Sequence, residues 1–266
     1  AKVGENIKNT FADIRDQKAL VGAISAFNPE IVIHMAAQPL VRRSYENPIE
    51  TYSANVMGTV NLLDAIRYVP GVRAVVNVTT DKCYENKEWL WPYRENEPMG
   101  GHDPYSSSKA CSELVTSAYI KSYYSNSNTG LASARAGNVI GGGDWSNDRL
   151  VPDILLAFQK KVPVVIRNPR SIRPWQHVLE PLHGYLLLAE KLYNEGHLYS
   201  EAWNFGPKDD DAKTVEWILS EMETKWGDGA SWINDTNKNP HEANFLKLDI
   251  SKANTRIGWY PKWNLD

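Results

Sequence analysis

A tyrosine and a lysine that could act together, Tyr105 and Lys109, stand four positions apart in a segment with helical periodicity. On a helix this spacing puts the phenol and the ammonium group on the same face. A phenol titrates at about pH 10, so it is a poor base at neutral pH unless a nearby cation favours the phenolate. We expect Lys109 to supply that charge, which would allow Tyr105 to take a proton from a substrate.

Three polar residues, Thr79, Thr80 and Asp81, end the apolar run at 72–80, and the Tyr105 segment is the next predicted helix. An open α/β sheet binds its ligand beyond the carboxyl ends of its strands. We therefore expect Thr79, Thr80 and Asp81 to lie beside Tyr105 in one site. The plainer alternative for Asp81 is a loop or helix-capping carboxylate.

The elements that would position these residues follow from a repeated switch between short apolar runs and longer amphipathic segments. This alternation predicts parallel strands joined by helices, in a doubly wound, Rossmann-like α/β fold. Beyond Gly143 the rhythm changes, which indicates a smaller region interwoven with the sheet. We predict strands at 30–37, 72–80 and 131–142, a sheet domain at 1–141 plus about 176–203, and a second region at about 142–175 plus 204–266.

The composition excludes several classes of function. The chain of 266 residues has 29 basic and 32 acidic side chains, a balance that argues against a polynucleotide partner. Its two cysteines, Cys83 and Cys111, suggest a reducing compartment and offer no zinc framework. His241 and Glu242 lack the second histidine of a zinc protease motif, so no metal is expected. No segment has the character of a signal peptide or membrane helix, and we predict a cytoplasmic protein.

Taken together, the motifs resemble the extended short-chain dehydrogenase/reductase family, and within it the nucleotide-sugar 4,6-dehydratases. The resemblance rests on Thr79-Thr80-Asp81 and Tyr105-Ser-Ser-Ser-Lys109, and on HMAAQ at 34–38, RAGNVIGGGDW at 135–145 and IRPWQHV at 172–178. The last two segments, with TTDKCY and WNFGP, are most similar to members that act on CDP-glucose. The resemblance implies NAD-dependent conversion of CDP-D-glucose to its 4-keto-6-deoxy product, a step in deoxysugar synthesis for surface polysaccharide.

The resemblance also implies a role for each residue of the first site. Tyr105 would take the O4 proton while NAD accepts the C4 hydride, and Thr80 would hydrogen-bond the same oxygen. Lys109 would hold the cofactor ribose and polarise Tyr105. Asp81 would protonate the departing C6 hydroxyl, which requires a raised pKa.

Further residues are assigned to cofactor and substrate by the same resemblance. Arg173 is the main candidate for the substrate diphosphate, because its guanidinium fork suits phosphate oxygens, and Arg135 is a weaker one. The NAD-binding residues implied are Asp13 and Ile14 at adenine, with Ala36, Ala37, Gln38, Asn55, Thr79, Tyr105 and Lys109. The substrate-binding residues implied are Asn138, Arg167, Arg173 and Trp175.

Lys82 is a departure from the commoner dehydratase pattern, which has glutamate at this position to remove the C5 proton. A lysine can do so only if its amine is neutral. Otherwise Lys82 would stabilise the enolate oxygen while another group takes the proton.

Two alternatives to dehydration stay open at this point. A sugar-nucleotide 4-epimerase shares the tyrosine and lysine but needs no acid at Asp81, and a non-catalytic relative would usually have lost Tyr105 or Lys109. No glycine-rich turn precedes Asp13, so we expect the family's first βαβ unit, and with it the residue that separates NAD from NADP, to be absent from the given sequence. By resemblance the protein would be a homodimer or homotetramer.

Overall fold

The fold is described from a computed structural model for residues 3–237 and 243–265. His241 and Glu242, the weak zinc motif, lie outside these residues. The strands are β1 (Ile31–His34), β2 (Ala74–Val78), β3 (Gly130–Ala136), β4 (Val139–Ile140), β5 (Val164–Ile166), β6 (Ile172–Pro174), β7 (Gln176–His177), β8 (Ala202–Phe205), β9 (Ala212–Thr214) and β10 (Trp232–Asn234). The α-helices are α1 (Gln17–Phe27), α2 (Val41–Glu46), α3 (Pro48–Tyr52), α4 (Gly58–Ile66), α5 (Pro104–Tyr119), α6 (Leu150–Gln159), α7 (Leu179–Tyr199), α8 (Val215–Trp226) and α9 (Ser251–Ile257).

A parallel sheet with strand order β1-β2-β3-β8 forms the centre of the molecule. In its register Ile31 pairs with Ala74, and Ala74 pairs with Gly130. Strand β3 is buried along its whole length, as expected for a parallel strand that is covered on both faces. The predicted α/β fold with a parallel sheet is therefore confirmed.

Helices cover both faces of this sheet. Helices α1 and α4 pack on one face against Val75 and Leu131, and α7 and α9 pack on the other face against Trp203 and Phe205. The approach of α7 is close: a Cβ at Gly184 would lie 2.3 Å from the Phe205 ring. Only glycine at this position lets the helix lie so near β8.

Smaller strand pairs lie outside the central sheet. Strand β4 pairs with β7, β5 with β10, and β6 with β9. A separate apolar cluster joins α6, β5 and α8 through Phe158, Ile166 and Leu219, within the predicted second region. However, α9 and Trp259, which were placed in that region, pack in the core beneath the central sheet. The two-region division stays a prediction.

One helical segment is less regular than its sequence suggests. The periodicity after Pro48 predicts a continuous helix, but Ser53–Met57 forms a π-helical turn between α3 and α4. Such turns are common at functional sites, and this one carries Asn55. In the described part of the chain, no helix combines the length and apolar character needed to cross a bilayer.

Candidate active site

The end of β2 and the start of α5 bring the predicted catalytic residues together. Asp103 caps α5, because its carboxylate accepts a hydrogen bond from the Ser106 amide at 2.9 Å. Pro104 occupies the first turn, where its missing N–H costs nothing. The chain leaving β2 makes one short helical turn, with Thr80 Oγ1 accepting from the Lys82 amide at 3.3 Å.

Asp81 is a buried acid with one free oxygen. Its Oδ1 accepts a hydrogen bond from Thr80 Oγ1 at 3.0 Å, and its buried Oδ2 has no hydrogen-bond partner. A Cβ on Gly137 would come within 3.0 Å of that Oδ2, so backbone covers the carboxyl closely. Burial raises the pKa of Asp81, although Lys82 and the Thr80 hydrogen bond act against this. The environment therefore favours the protonated acid that the predicted role requires.

The half-buried Tyr105 lies next to this acid. Burial raises the pKa of Tyr105 to about 12, while a hydrogen bond with Thr80 acts in the opposite direction. Thr80 thus interacts with both Tyr105 and Asp81. Burial therefore favours the neutral phenol of Tyr105 over the phenolate.

Lys109 lies one turn further along α5, buried beneath the site. Its Nζ donates to the carbonyl oxygen of Val78 at 3.0 Å. Burial lowers the pKa of Lys109 to about 8, against the opposing charge of Glu113. The ammonium is therefore close to losing its proton under mildly alkaline conditions. Its predicted action on Tyr105 stays a prediction.

A cavity of about 780 Å³ opens in front of these groups. Of the predicted site residues, it is lined by Thr79, Thr80, Asp81, Lys82, Tyr105, Asn138, Arg167, Arg173 and Trp175. Arg173 is buried, and its guanidinium donates to the carbonyl oxygens of the preceding residue, Ile172, and of Ala243. The Trp175 indole nitrogen donates to the carbonyl of Lys213 at 2.9 Å, which fixes its ring in the wall.

A second cavity, of about 520 Å³, adjoins the first and shares Pro39 and Leu40 with it. Its lining includes Asp13, Ile14, Ala36, Ala37 and Gln38. Asp13 is held by hydrogen bonds from Arg15, which lower the pKa of its carboxyl to about 2. The two cavities therefore meet at the loop that follows β1.

Asn55 does not line either cavity but holds the loop between them. Its Oδ1 accepts from the Gln38 amide at 2.8 Å, and its Nδ2 donates to the Gln38 carbonyl at 3.0 Å and to Ser108 Oγ at 2.8 Å. The π-helical turn at Asn55 is thereby tied both to the loop after β1 and to α5. This residue positions the wall of the site.

A buried ion pair behind the site was not predicted. Glu113 accepts hydrogen bonds from Thr79 Oγ1, from Ser133 Oγ at 2.6 Å and from Arg135 Nη2 at 2.8 Å. Arg135 is thus engaged by Glu113 and does not line the cavity, which removes it as a diphosphate candidate. Its pairing with Tyr84 Oη at 2.8 Å extends the network. The spacing of Tyr105, Lys109 and Glu113 along one helix face was the available signal for Glu113.

No cluster of histidine, cysteine or carboxylate side chains suited to a metal ion occurs among residues 3–237 and 243–265. A parallel α/β sheet with tyrosine and lysine one turn apart, facing a Thr-Thr-Asp strand end, defines the short-chain dehydrogenase/reductase class. Within that class, the chain belongs to the GDP-mannose 4,6-dehydratase family, whose model matches residues 1–266.

Individual relatives are similar to the chain in sequence or in structure. The chain is 60% identical over 269 residues to CDP-glucose 4,6-dehydratase of Salmonella typhimurium strain LT2, covering 99% of this chain and 75% of the relative. A UDP-glucose 4-epimerase of Mycoplasma genitalium is 29% identical, covering 77% of this chain and 63% of the relative. Among solved structures, dTDP-glucose 4,6-dehydratase of Streptomyces venezuelae, crystallised with NAD, has a TM-score of 0.79 at 23% identity, covering 96% of this chain and 74% of that one. This last likeness shows the fold.

Proposed function

We propose that this protein is an NAD-dependent nucleotide-sugar 4,6-dehydratase that converts CDP-D-glucose to CDP-4-keto-6-deoxy-D-glucose. The observation that carries this proposal is the buried Asp81 carboxyl, with a raised pKa and a free oxygen, beside Tyr105 in the large cavity. The choice of cytidine and glucose is supported by the 60% identity to a CDP-glucose 4,6-dehydratase.

The two adjoining cavities fit NAD. Asp13 and Ile14 would hold the adenine end in the smaller cavity, and Ala36, Ala37 and Gln38 would line the path towards Thr79 and Tyr105. Lys109 and Asn55 support this path from below. When bound, NAD supplies the oxidation at C4 of the sugar and the later reduction at C6, so it ends the reaction as it began.

The chain's own residues would handle the protons. Tyr105 takes the proton of the C4 hydroxyl, with Thr80 hydrogen-bonded to the same oxygen and Lys109 favouring the phenolate. The resulting ketone acidifies the C5 proton. Asp81 then gives its proton to the C6 hydroxyl as water leaves, a step for which its raised pKa prepares it.

Lys82 is the candidate to remove the C5 proton or to stabilise the enolate oxygen. It lines the cavity next to Asp81, and its positive charge acts on the Asp81 carboxyl. As a neutral amine it would remove the C5 proton, and as a cation it would stabilise the enolate. Both roles serve dehydration.

An epimerase fits the site less well. Epimerisation at C4 needs Tyr105 and Lys109 but has no use for the buried acid that is hydrogen-bonded to Thr80, and burying a carboxyl is unfavourable. A purely binding role would not explain why Asp81 and Lys109 are buried, although burying ionisable groups costs free energy. We also propose a cytoplasmic location, which fits the two free cysteines, a homo-oligomer, and sugar binding by the predicted second region.

Product analysis tests the proposal. The protein is incubated with NAD and, separately, the CDP, UDP, dTDP and GDP forms of glucose, and the nucleotide-sugars are analysed by mass spectrometry. We expect loss of one water from CDP-glucose, fastest of the four. Tyr105→Phe should abolish turnover, and Asp81→Asn should oxidise C4 without losing water. An unchanged mass with conversion to CDP-galactose would show an epimerase.

A further inference from the structure

Three charged residues at the cavity wall form a cluster in which only Arg167 has so far been assigned to the substrate. Arg42 Nη1 donates to Asp148 Oδ1 at 3.1 Å, and Arg167 Nη1 donates to the same oxygen at 3.3 Å. All three residues line the large cavity, together with Asp81 and Tyr105. Two guanidinium groups thus share one carboxylate oxygen, so a single anionic group can reach both.

The three residues come from separate parts of the chain. Arg42 is on α2, which packs against α3 and α5. Arg167 follows β5, and Asp148 is in the loop between β4 and α6. Asp148 therefore ties its loop to both sides of the cavity. Its backbone has φ of 60°, in the left-handed region that aspartate tolerates better than most residues.

This arrangement allows an anionic ligand to replace the Asp148 carboxylate on the two arginines. Two guanidinium groups share one oxygen of Asp148, and the carboxylate of Asp153 lies close enough to interact with Arg167 and Asp148. The three side chains of the cluster are partly exposed, and solvent weakens ion pairs of this kind. A diphosphate offers more acceptor oxygens and more negative charge than one carboxylate, and it matches the fork of an arginine.

We infer that Arg42 is a further substrate-binding residue, and that the diphosphate of the nucleotide-sugar displaces Asp148 from Arg42 and Arg167. The inference rests on the proposed function for the identity of the ligand. In the observed arrangement the Asp148 carboxylate occupies the position that we assign to the phosphate. Binding of the ligand releases the loop that contains Asp148 from both arginines.

If Asp148 and the ligand compete for the two arginines, one substitution should strengthen binding of the ligand. Removing the Asp148 charge takes away the competitor, so Asp148→Asn should bind a nucleoside diphosphate more tightly than the wild type does. The gain should depend on Arg42. A matched control is Asp144→Asn, because Asp144 lines the same cavity but lies near Arg149, at 3.9 Å.

Calorimetric titration of the full chain with CDP and with CMP tests this inference. We expect Asp148→Asn to bind CDP about fivefold more tightly and Arg42→Gln about tenfold more weakly, with smaller changes for CMP. In the variant with both Asp148→Asn and Arg42→Gln, the gain from Asp148→Asn should be smaller, because only Arg167 is then released from the carboxylate. Arg94→Gln removes an arginine paired with Asp249 away from the cavity, and it should bind CDP like the wild type.

Three results would overturn the inference: equal gains from Asp148→Asn and Asp144→Asn, CDP binding by Arg42→Gln that matches Arg94→Gln, or no CDP binding by the wild type. The experiment reads binding and needs no turnover. A protein that shows the expected binding pattern but no dehydration would contradict only the proposed function. A working dehydratase in which Arg42→Gln binds CDP normally would contradict only the inference.

Discussion

At the scale of single residues, the site depends on burial that acts differently on each titratable group. Burial raises the pKa of Asp81 and raises the pKa of Tyr105 to about 12, and it lowers the pKa of Lys109 to about 8. Each shift favours the neutral form, as expected in a desolvated cavity. In the proposed mechanism Asp81 would give a proton from its neutral form, and Tyr105 would need Lys109 and the cofactor before it could take one.

Substitution of Lys82 should separate the oxidation at C4 from the later loss of water. Lys82→Met keeps much of the side-chain volume but removes the amine. We expect this variant to oxidise C4 and stop there, because neither C5 deprotonation nor enolate stabilisation is available. Absorbance of reduced NAD should accumulate after substrate is added, with no dehydrated product. Full dehydration by Lys82→Met would remove Lys82 from the mechanism.

The lowered pKa of Lys109 predicts the alkaline side of the pH profile. As pH rises through about 8 the ammonium loses its proton, so kcat/KM should fall because Tyr105 loses its supporting charge. In Lys109→Arg, which stays charged, the fall should move to higher pH even if the maximum rate is lower. A pH profile with the same alkaline limb in both proteins would contradict this role.

At the scale of elements, the strand end and the helix start are held together from behind by Glu113. This carboxylate on α5 contacts Thr79 after β2 and Ser133 and Arg135 on β3. It therefore fixes α5, and with it Tyr105 and Lys109, against two strands. These contacts join the catalytic helix to the sheet independently of the loops that form much of the cavity wall.

Breaking this buried pair should be costly. Glu113→Gln leaves the Arg135 charge buried without a partner, and we expect a loss of about 3–5 kcal/mol in the free energy of unfolding. Glu221→Gln, which removes an exposed pair with Lys225 on α8, should cost less than about 1 kcal/mol. Urea denaturation measures both. Similar losses in the two variants would show that Glu113 does not hold the elements together.

The elements also show what sequence patterns can and cannot predict. The apolar runs predicted β1, β2 and β3, and the position of Thr79, Thr80 and Asp81 at a strand end placed them in the site, because both features are local. The π-helical turn at Ser53–Met57 was missed, since its residues keep helical spacing. The pairing of Arg42 with Asp148 joins residues 106 positions apart, and no local pattern contains that information.

At the scale of the whole molecule, one contribution to the pH dependence of stability comes from a buried histidine. His34 ends β1, and burial lowers its pKa to about 4 from an ordinary 6.5. The folded protein therefore favours the neutral ring. This contribution to stability is complete above pH 6.5 and is lost as pH falls towards about 4.

Acid unfolding measures this contribution. Between pH 6.5 and 4 the wild type should lose about 3 kcal/mol through His34. His34→Gln should be less stable at neutral pH, because it disturbs the polar contact with Thr59, but its stability should decline less over this range. His102→Gln, at an exposed position, should follow the wild type. Parallel curves for His34→Gln and the wild type would contradict the assignment.

The reaction as a whole has one direct test, which is the fate of the hydrogen at C4 of the sugar. The complete protein is incubated with NAD and CDP-glucose deuterated at C4, and the product is examined by nuclear magnetic resonance and mass spectrometry. Dehydration with internal return predicts deuterium at C6 of a 4-keto-6-deoxy product. Deuterium retained at C4 with inverted configuration would contradict the account and identify an epimerase.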